Sequence, residues 1–141
     1  MAVLRRSQIW TRVDIAAMNL KKGPDGPSAF APGETVTCDY VDKKLDGHSP
    51  KFNCSITRED EVKVKFGAEN GEAFGEVAAT RLLWALGFGS DRMYPVRVIC
   101  RGCPAKPGGA PGSAPNESVF DIAAIERAPP RGWILRKPGG R

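Results

Sequence analysis

Histidine is nearly absent from this sequence, and so are long hydrophobic runs. His48 is the single histidine among 141 residues, so Ser–His–Asp or Cys–His catalysis would depend on one loop residue for which spacing suggests no partner. No segment approaches the ~18 consecutive apolar residues of a membrane-spanning helix, and the basic start lacks the apolar core of a secretory signal peptide. We therefore expect a globular domain with no membrane contact, either cytoplasmic or a piece of a secreted protein whose leader lies upstream.

Acidic residues are missing from the end of the chain. The net charge is +5, with 21 basic and 16 acidic side chains, and five of the basic ones follow Glu126 with no acid among them. The rest of the sequence is therefore charge-balanced, and the basic character belongs to a tail over 127–141. Such a tail can bind nucleic-acid phosphates without sequence preference; a solvated, poorly ordered terminus is the alternative.

Alternation of apolar and polar residues indicates a single α+β domain over 34–126. A lead-in over 1–33 contains a turn-rich segment at 21–27 that interrupts any element before it. After the lead-in, period-2 runs recur between turns. One longer run with helical spacing lies between the third and fourth of them. We expect an antiparallel sheet of about five strands with this helix packed on it. The predicted elements are strands at 35–41, 51–56, 61–66, 93–100 and 119–126, a helix at 70–86, and a flexible Pro/Gly-rich loop at 104–116.

The hydrophobic pattern bears on the register of the first hairpin. A two-residue turn at Asp46-Gly47 would place apolar residues opposite polar ones, whereas a shift of one residue places Cys38 opposite Cys54 on a single apolar face. We therefore expect a wider loop over 43–49, with Gly47 in a bulge-like conformation.

The predicted helix has a cap and an apolar face. Asn70 can cap its first turn and Gly87 can follow its last turn. Large apolar residues recur at helical spacing and are expected to face the sheet, and we expect Trp84 and Phe88 in the core. The apolar face consists of Phe74, Val77, Ala78, Leu82 and Ala85, widened by Leu83 and Leu86.

The four cysteines allow two interpretations. Cys100 and Cys103 have the two-residue spacing of a zinc half-site or a redox dithiol, and Cys38 and Cys54, expected on neighbouring strands, could supply two further zinc ligands. The same residues could instead form disulfides or remain free thiols packed as small hydrophobes. With zinc or with disulfides, the cysteines would stabilise a small binding module; four free thiols would not.

Lysines on the third strand precede glutamates on the helix. Lys63 and Lys65 share one strand face, and Glu72 and Glu76 lie four residues apart on the helix. A solvated strand face and a solvated helix face would give the same pattern. A strand lysine that faces a helix glutamate can also hold the phosphates of a nucleotide, which is the functional alternative.

The element order around this pair resembles the small lobe of atypical kinases. The segments that carry the resemblance are V-K-V-K at 62–65 and E-V-A-A-T-R-L-L-W-A-L-G-F…D-R-M-Y-P-V-R-V at 76–98. They are similar to the secreted Golgi casein-kinase type, the HipA toxin kinases and the phosphatidylinositol 4-kinase-like group. The resemblance, which covers about residues 35–126, implies that Lys65 contacts phosphates of ATP and that Glu76 orients it.

The resemblance also implies an incomplete site. The backbone of Gly47, His48 and Ser49 would lie over the phosphates, although the hairpin lacks a Gly-x-Gly-x-x-Gly loop. The catalytic Asp and the metal-binding Asp-Phe-Gly element of kinases belong to a large lobe that is absent from this sequence. We therefore expect no phosphate transfer by this chain alone, and a missing large lobe or a partner protein to complete it.

Overall fold

Alternating residues form strands here because alternation lets each strand bury one of its faces. The computed structural model describes residues 10–104, 110–112 and 114–129. It confirms an α+β fold with one main helix. The elements are a 3₁₀ turn at Ile15–Ala17, β1 at Thr35–Val41, β2 at Lys51–Thr57, β3 at Asp60–Phe66, α1 at Gly71–Ala85, β4 at Arg92–Arg101, β5 at Ala110–Pro111 and β6 at Glu117–Arg127.

The sheet closes into a barrel, which the sequence analysis did not foresee. Its strand order is β3-β2-β1-β4-β6, and β6 pairs again with β3 to complete the ring. The β1–β4 pair is parallel while the other pairs are antiparallel. The parallel pair arises because the crossover through α1 returns the chain in the direction of β1. Closure is possible because β6 residues 123–126 pair with β4 along one edge and with β3 along the other.

Side chains from all five main strands fill the barrel. Phe120 packs inside it, and the centroid of its ring lies 4.6 Å from that of Phe66 and 5.1 Å from that of Phe52. A small closed barrel of this kind packs its interior with its own side chains. The other members of this core are Val36, Cys38, Cys54, Val62, Val64, Tyr94, Val96, Val98, Cys100, Ala123 and Ile125.

The hairpin register differs from the prediction by two residues. Cys54 lies opposite Tyr40, not opposite Cys38. A shift of two keeps every side chain on its predicted face, so the hydrophobic pattern cannot distinguish these two registers. The wider loop is confirmed, and Gly47 adopts a φ of +90° within it.

Helix α1 is capped as predicted but buries different residues. Asn70 caps it by accepting a hydrogen bond from the Glu72 backbone N–H at 3.2 Å. The prediction that its large apolar residues face the sheet is wrong, since Phe74 is 55% exposed and Leu82 is 60% exposed. Because the barrel fills its own interior, α1 contributes mainly its small residues, and the only buried ones are Ala73, Arg81 and Ala85.

The lead-in packs against the end of α1. The Thr11 backbone N–H donates to the Gly87 carbonyl at 2.8 Å, and the Trp10 indole donates to the Leu86 carbonyl at 2.8 Å. A side chain at Gly87, where φ is +83°, would lie 2.0 Å from the Thr11 carbonyl oxygen. Phe88, predicted to be in the core, is instead 42% exposed beside Trp10.

Arg127, the first residue of the predicted tail, belongs to the folded domain. Arg127 ends β6 and binds the carboxylate of Asp60, with one contact at 2.9 Å, and its guanidinium lies 5.0 Å from the ring centroid of Phe30. It is therefore a structural residue. Residues 130–141, including Trp133, lie outside the described residues, as do 105–109 and 113 of the predicted loop. The loop prediction over 104–116 is wrong at Ala110–Pro111, which form β5 and pair with β6. Across the described part of the chain, no helix is both long and apolar enough to cross a membrane.

Candidate functional site

Lys65 and Glu76, paired in the sequence interpretation, are in contact. Lys65 lies on the face of β3 that α1 covers, and its side chain is 8% exposed. Its ammonium binds both carboxylate oxygens of Glu76. Two further carboxylates are close: Glu126 at 3.5 Å and Glu72 at 3.8 Å. The lysine is thus surrounded by three negative charges.

These carboxylates keep Lys65 charged in a buried position. Burial alone lowers the pKa of a lysine because it disfavours the charged form. At Lys65 the hydrogen bond and charge of Glu76, followed by those of Glu126, more than offset burial, and the pKa is raised. The ammonium therefore remains positive throughout the physiological range, but its charge is already matched by nearby acids.

Glu126 is a member of this cluster that the sequence analysis missed. Its carboxylate accepts a hydrogen bond from Lys63 at 2.6 Å, so Lys63 is a participant where a solvated neighbour was expected. Only the β3–β6 pairing brings Glu126 opposite Lys63, and nothing in the local sequence signals that pairing. Lys65, Glu76 and Glu126 line a cleft of about 400 Å³. Asp91 lines the same cleft. Partial burial and the nearby Glu126 carboxylate raise the pKa of Asp91.

The loop between β1 and β2 covers a second, larger cleft. Gly47, His48 and Ser49, predicted to lie over phosphates, line a cavity of about 610 Å³. Three lysines line the same cavity together with one acid, Asp42, so its wall is basic. Its floor is aromatic. The lysines are Lys43, Lys44 and Lys51, and the aromatic residues are Tyr40, Phe52 and Phe66.

Glu72 connects the two clefts. The Ser49 hydroxyl donates to its carboxylate at 2.5 Å, and the Lys65 ammonium lies 3.8 Å from the same carboxylate. The Ser49 hydrogen bond, followed by the charges of Lys65 and Lys51, lowers the pKa of Glu72. The loop is therefore tied to the first turn of α1.

The cysteines follow the disulfide alternative. Cys38 and Cys54 are bonded across the hairpin with Cα atoms 5.6 Å apart, and Cys100 and Cys103 are bonded with Cα atoms 5.7 Å apart. Zinc requires thiolate sulfur, which a disulfide does not provide. The four cysteines therefore do not form the zinc site considered from the sequence. Among the residues the structure describes, no group of three or more His, Cys, Asp or Glu could hold a metal ion.

No protein-family model, no curated protein and no solved structure matches this chain. Function is therefore argued from the two clefts. The Lys65 cluster contains two lysines and at least three carboxylates, an excess of negative charge that disfavours a phosphate. The cleft under the loop has the opposite balance, with three lysines and one acid.

Proposed function

We propose that this chain is a disulfide-stabilised binding module that takes a phosphate-bearing ligand of nucleotide type in the cleft beneath the β1–β2 loop. The observation that carries the proposal is the lining of this cleft, three lysines and His48 above an aromatic floor. Its volume of about 610 Å³ falls within the ~300–1,000 Å³ of small-molecule sites.

Lys44 and Lys51 are the phosphate contacts in this proposal. Lys43 is engaged with Glu61 at 3.1 Å, whereas no carboxylate lies within 4 Å of Lys44 or Lys51 in the described part of the chain. Lysine binds phosphate as a flexible point charge. The Lys51 ammonium packs against Gly47, where a side chain would approach it to 2.8 Å, so the glycine lets the loop backbone and this lysine lie close together at the cleft.

Tyr40 supplies the surface for a base. Its side chain is half-buried in the aromatic floor of the cleft, with a ring centroid 6.3 Å from that of Phe52. Stacking of a base on such a ring contributes roughly 1–3 kcal/mol. A nucleotide would thus gain affinity from its base and its phosphates separately.

Lys65 and Glu76 have a positioning role in this proposal. A phosphate at Lys65 would have to displace carboxylates that already match its charge. The pair instead fixes α1 against β3, and Glu72 on the same helix holds Ser49 in the loop. The kinase-like interpretation, with ATP as ligand and a large lobe or partner protein completing the site, stays a prediction, and the contact between Lys65 and Glu76 is the observation that favours it. Two disulfides favour an oxidising compartment as the place of action.

Calorimetric titration tests the proposal with ATP and tripolyphosphate, each with and without magnesium. We expect ATP to bind more tightly than tripolyphosphate, and Tyr40→Leu to remove the difference. Lys51→Ala should weaken ATP binding about ten-fold, the effect of losing one charge-assisted contact. Lys21→Ala is the matched control, since it removes the same charge from the exposed lead-in. An absence of binding heat, or equal effects of Lys51→Ala and Lys21→Ala, would contradict the proposal.

A further inference from the structure

A third cavity lies away from both clefts, between the lead-in and the end of α1. It has a volume of about 210 Å³, or room for about seven waters, and is therefore too small for a nucleotide. Trp84 and Phe88 supply aromatic surface to it, and Val13 and Pro24 add apolar contacts. A single-ring ligand fits this size and lining.

Among the described residues that line this cavity, Arg92 is the only cation. Its Nε atom is buried and has no hydrogen-bond partner, and no carboxylate lies within 4 Å of it among the described residues. Asp25 also lines the cavity, but its carboxylate is engaged by Lys22 at 2.6 Å. Buried polar groups in folded proteins normally have partners, and an exception calls for an explanation such as an absent ion or ligand.

A second arginine beside the cavity has the same deficiency. Arg81 lies on α1 three residues before Trp84, and it is 7% exposed. Its guanidinium donates once, to the Lys22 carbonyl at 3.3 Å, and lies 5.5 Å from the ring centroid of Tyr94. Its Nε and Nη1 atoms have no hydrogen-bond partner within the described part of the chain. Burial without a counter-charge lowers the pKa of Arg81, so an anion nearby would stabilise it.

We infer that this cavity binds a small aromatic carboxylate, whose carboxylate pairs with Arg92 and whose ring lies against Trp84 and Phe88. A carboxylate matches the planar guanidinium through two parallel hydrogen bonds. The positive charge of Arg81 adds to the attraction from one helical turn away. This site is independent of the nucleotide cleft proposed above, because the two share no lining residue.

Heteronuclear NMR with 3-phenylpropionate as the probe tests the inference. We expect the indole N–H signal of Trp84, assigned with Trp84→Phe, to shift with a Kd on the order of 1 mM or below, as for other ligands of this size. The neutral analogue 3-phenylpropanol should bind about ten-fold more weakly, because it lacks the charge-assisted contact with Arg92. Equal affinities for the two probes would overturn the inference.

Two variants separate the role of Arg92 from general effects of charge. Arg92→Met should reduce affinity for 3-phenylpropionate about ten-fold and leave the affinity for 3-phenylpropanol unchanged. Arg97→Met is the matched control on the same strand, where Arg97 pairs with Asp121 at 2.7 Å on the surface. If Arg92→Met fails to fold, Arg92→Lys replaces it and should retain the preference for the acid with reduced affinity. Unchanged binding by the folded variant, or ligand shifts confined to the β1–β2 loop, would refute the site.

Discussion

Replacing Lys65 with methionine should destabilise the protein by removing the single cation shared by three carboxylates. Glu76, which is 36% exposed, would lose its lysine partner, and Glu126, which is 18% exposed, would keep Lys63 at 2.6 Å but lose the second cation near it. Breaking a buried ion pair from one side costs about 3–5 kcal/mol. Because water reaches Glu76, we expect a smaller loss of about 2–3 kcal/mol in the free energy of unfolding.

Urea denaturation followed by circular dichroism measures this loss. The expected change is a fall of about 1–2 M in the denaturation midpoint. Lys63→Met is the matched control, since Lys63 is 34% exposed and pairs with Glu126 only; its cost should be about 1 kcal/mol or less. Methionine keeps most of the apolar volume of lysine, so the comparison isolates charge from packing.

The pH dependence distinguishes lost charge from lost packing. In Lys65→Met the unpaired carboxylates are easier to protonate, so the deficit should shrink between pH 7 and pH 4. In the unaltered protein the pKa of Lys65 is raised above its ordinary value of 10.5. Its stabilisation is therefore fully present below pH 10.5 and is lost as pH rises through the higher folded-state pKa. A deficit equal to that of Lys63→Met, or one constant from pH 4 to pH 7, would refute the reasoning.

Three other perturbations have defined outcomes. Reducing both disulfides should lower the free energy of unfolding by about 3 kcal/mol, mainly through Cys38–Cys54, which joins residues 16 apart, since Cys100–Cys103 joins residues only 3 apart. Thermal melts with and without reductant measure the loss, and an unchanged melting temperature would contradict it. Arg127 lowers the pKa of Asp60, so Arg127→Met should reduce the free energy of unfolding by about 2 kcal/mol at pH 7. Urea titrations should show this loss of stability narrowing as pH falls below about 4, because Asp60 becomes protonated, and a loss that stays constant with pH would argue against the ion pair. Gly47→Ala should cost about 1–2 kcal/mol in the same assay because φ is +90° there, and a stabilised variant would show that the loop conformation is different.

The local features of this fold were predictable because adjacent residues determine them. Asn70 caps α1 since its side chain reaches a backbone N–H two residues away. The contact between Lys65 and Glu76 follows from the order of a strand and the helix after it, because the two elements must pack against each other. Alternation predicted the buried face of each strand without reference to its partner.

The features that depend on distant pairing were not predictable. Glu126 joins Lys63 and Lys65 only because β6 returns to β3, and no residue pattern near Glu126 specifies that return. The exposure of Phe74 and Leu82 has a related cause, since a barrel that fills itself leaves α1 little to cover. The sequence could not predict that Arg81 and Arg92 lack partners, because that depends on which carboxylates the fold brings near them.

Barrel closure has a consequence for how this chain reaches its native state. Strand β6 supplies partners to both β3 and β4, and its Glu126 meets Lys63 across 63 residues of sequence. Contacts of such separation are slow to form because a long loop must close before they contribute. Until β6 pairs, the outer edges of β3 and β4 present free backbone groups that can recruit strands from other molecules. A nascent chain that has emerged only as far as β4 is therefore exposed to aggregation, and the pairing of β6 with both edges is what protects it.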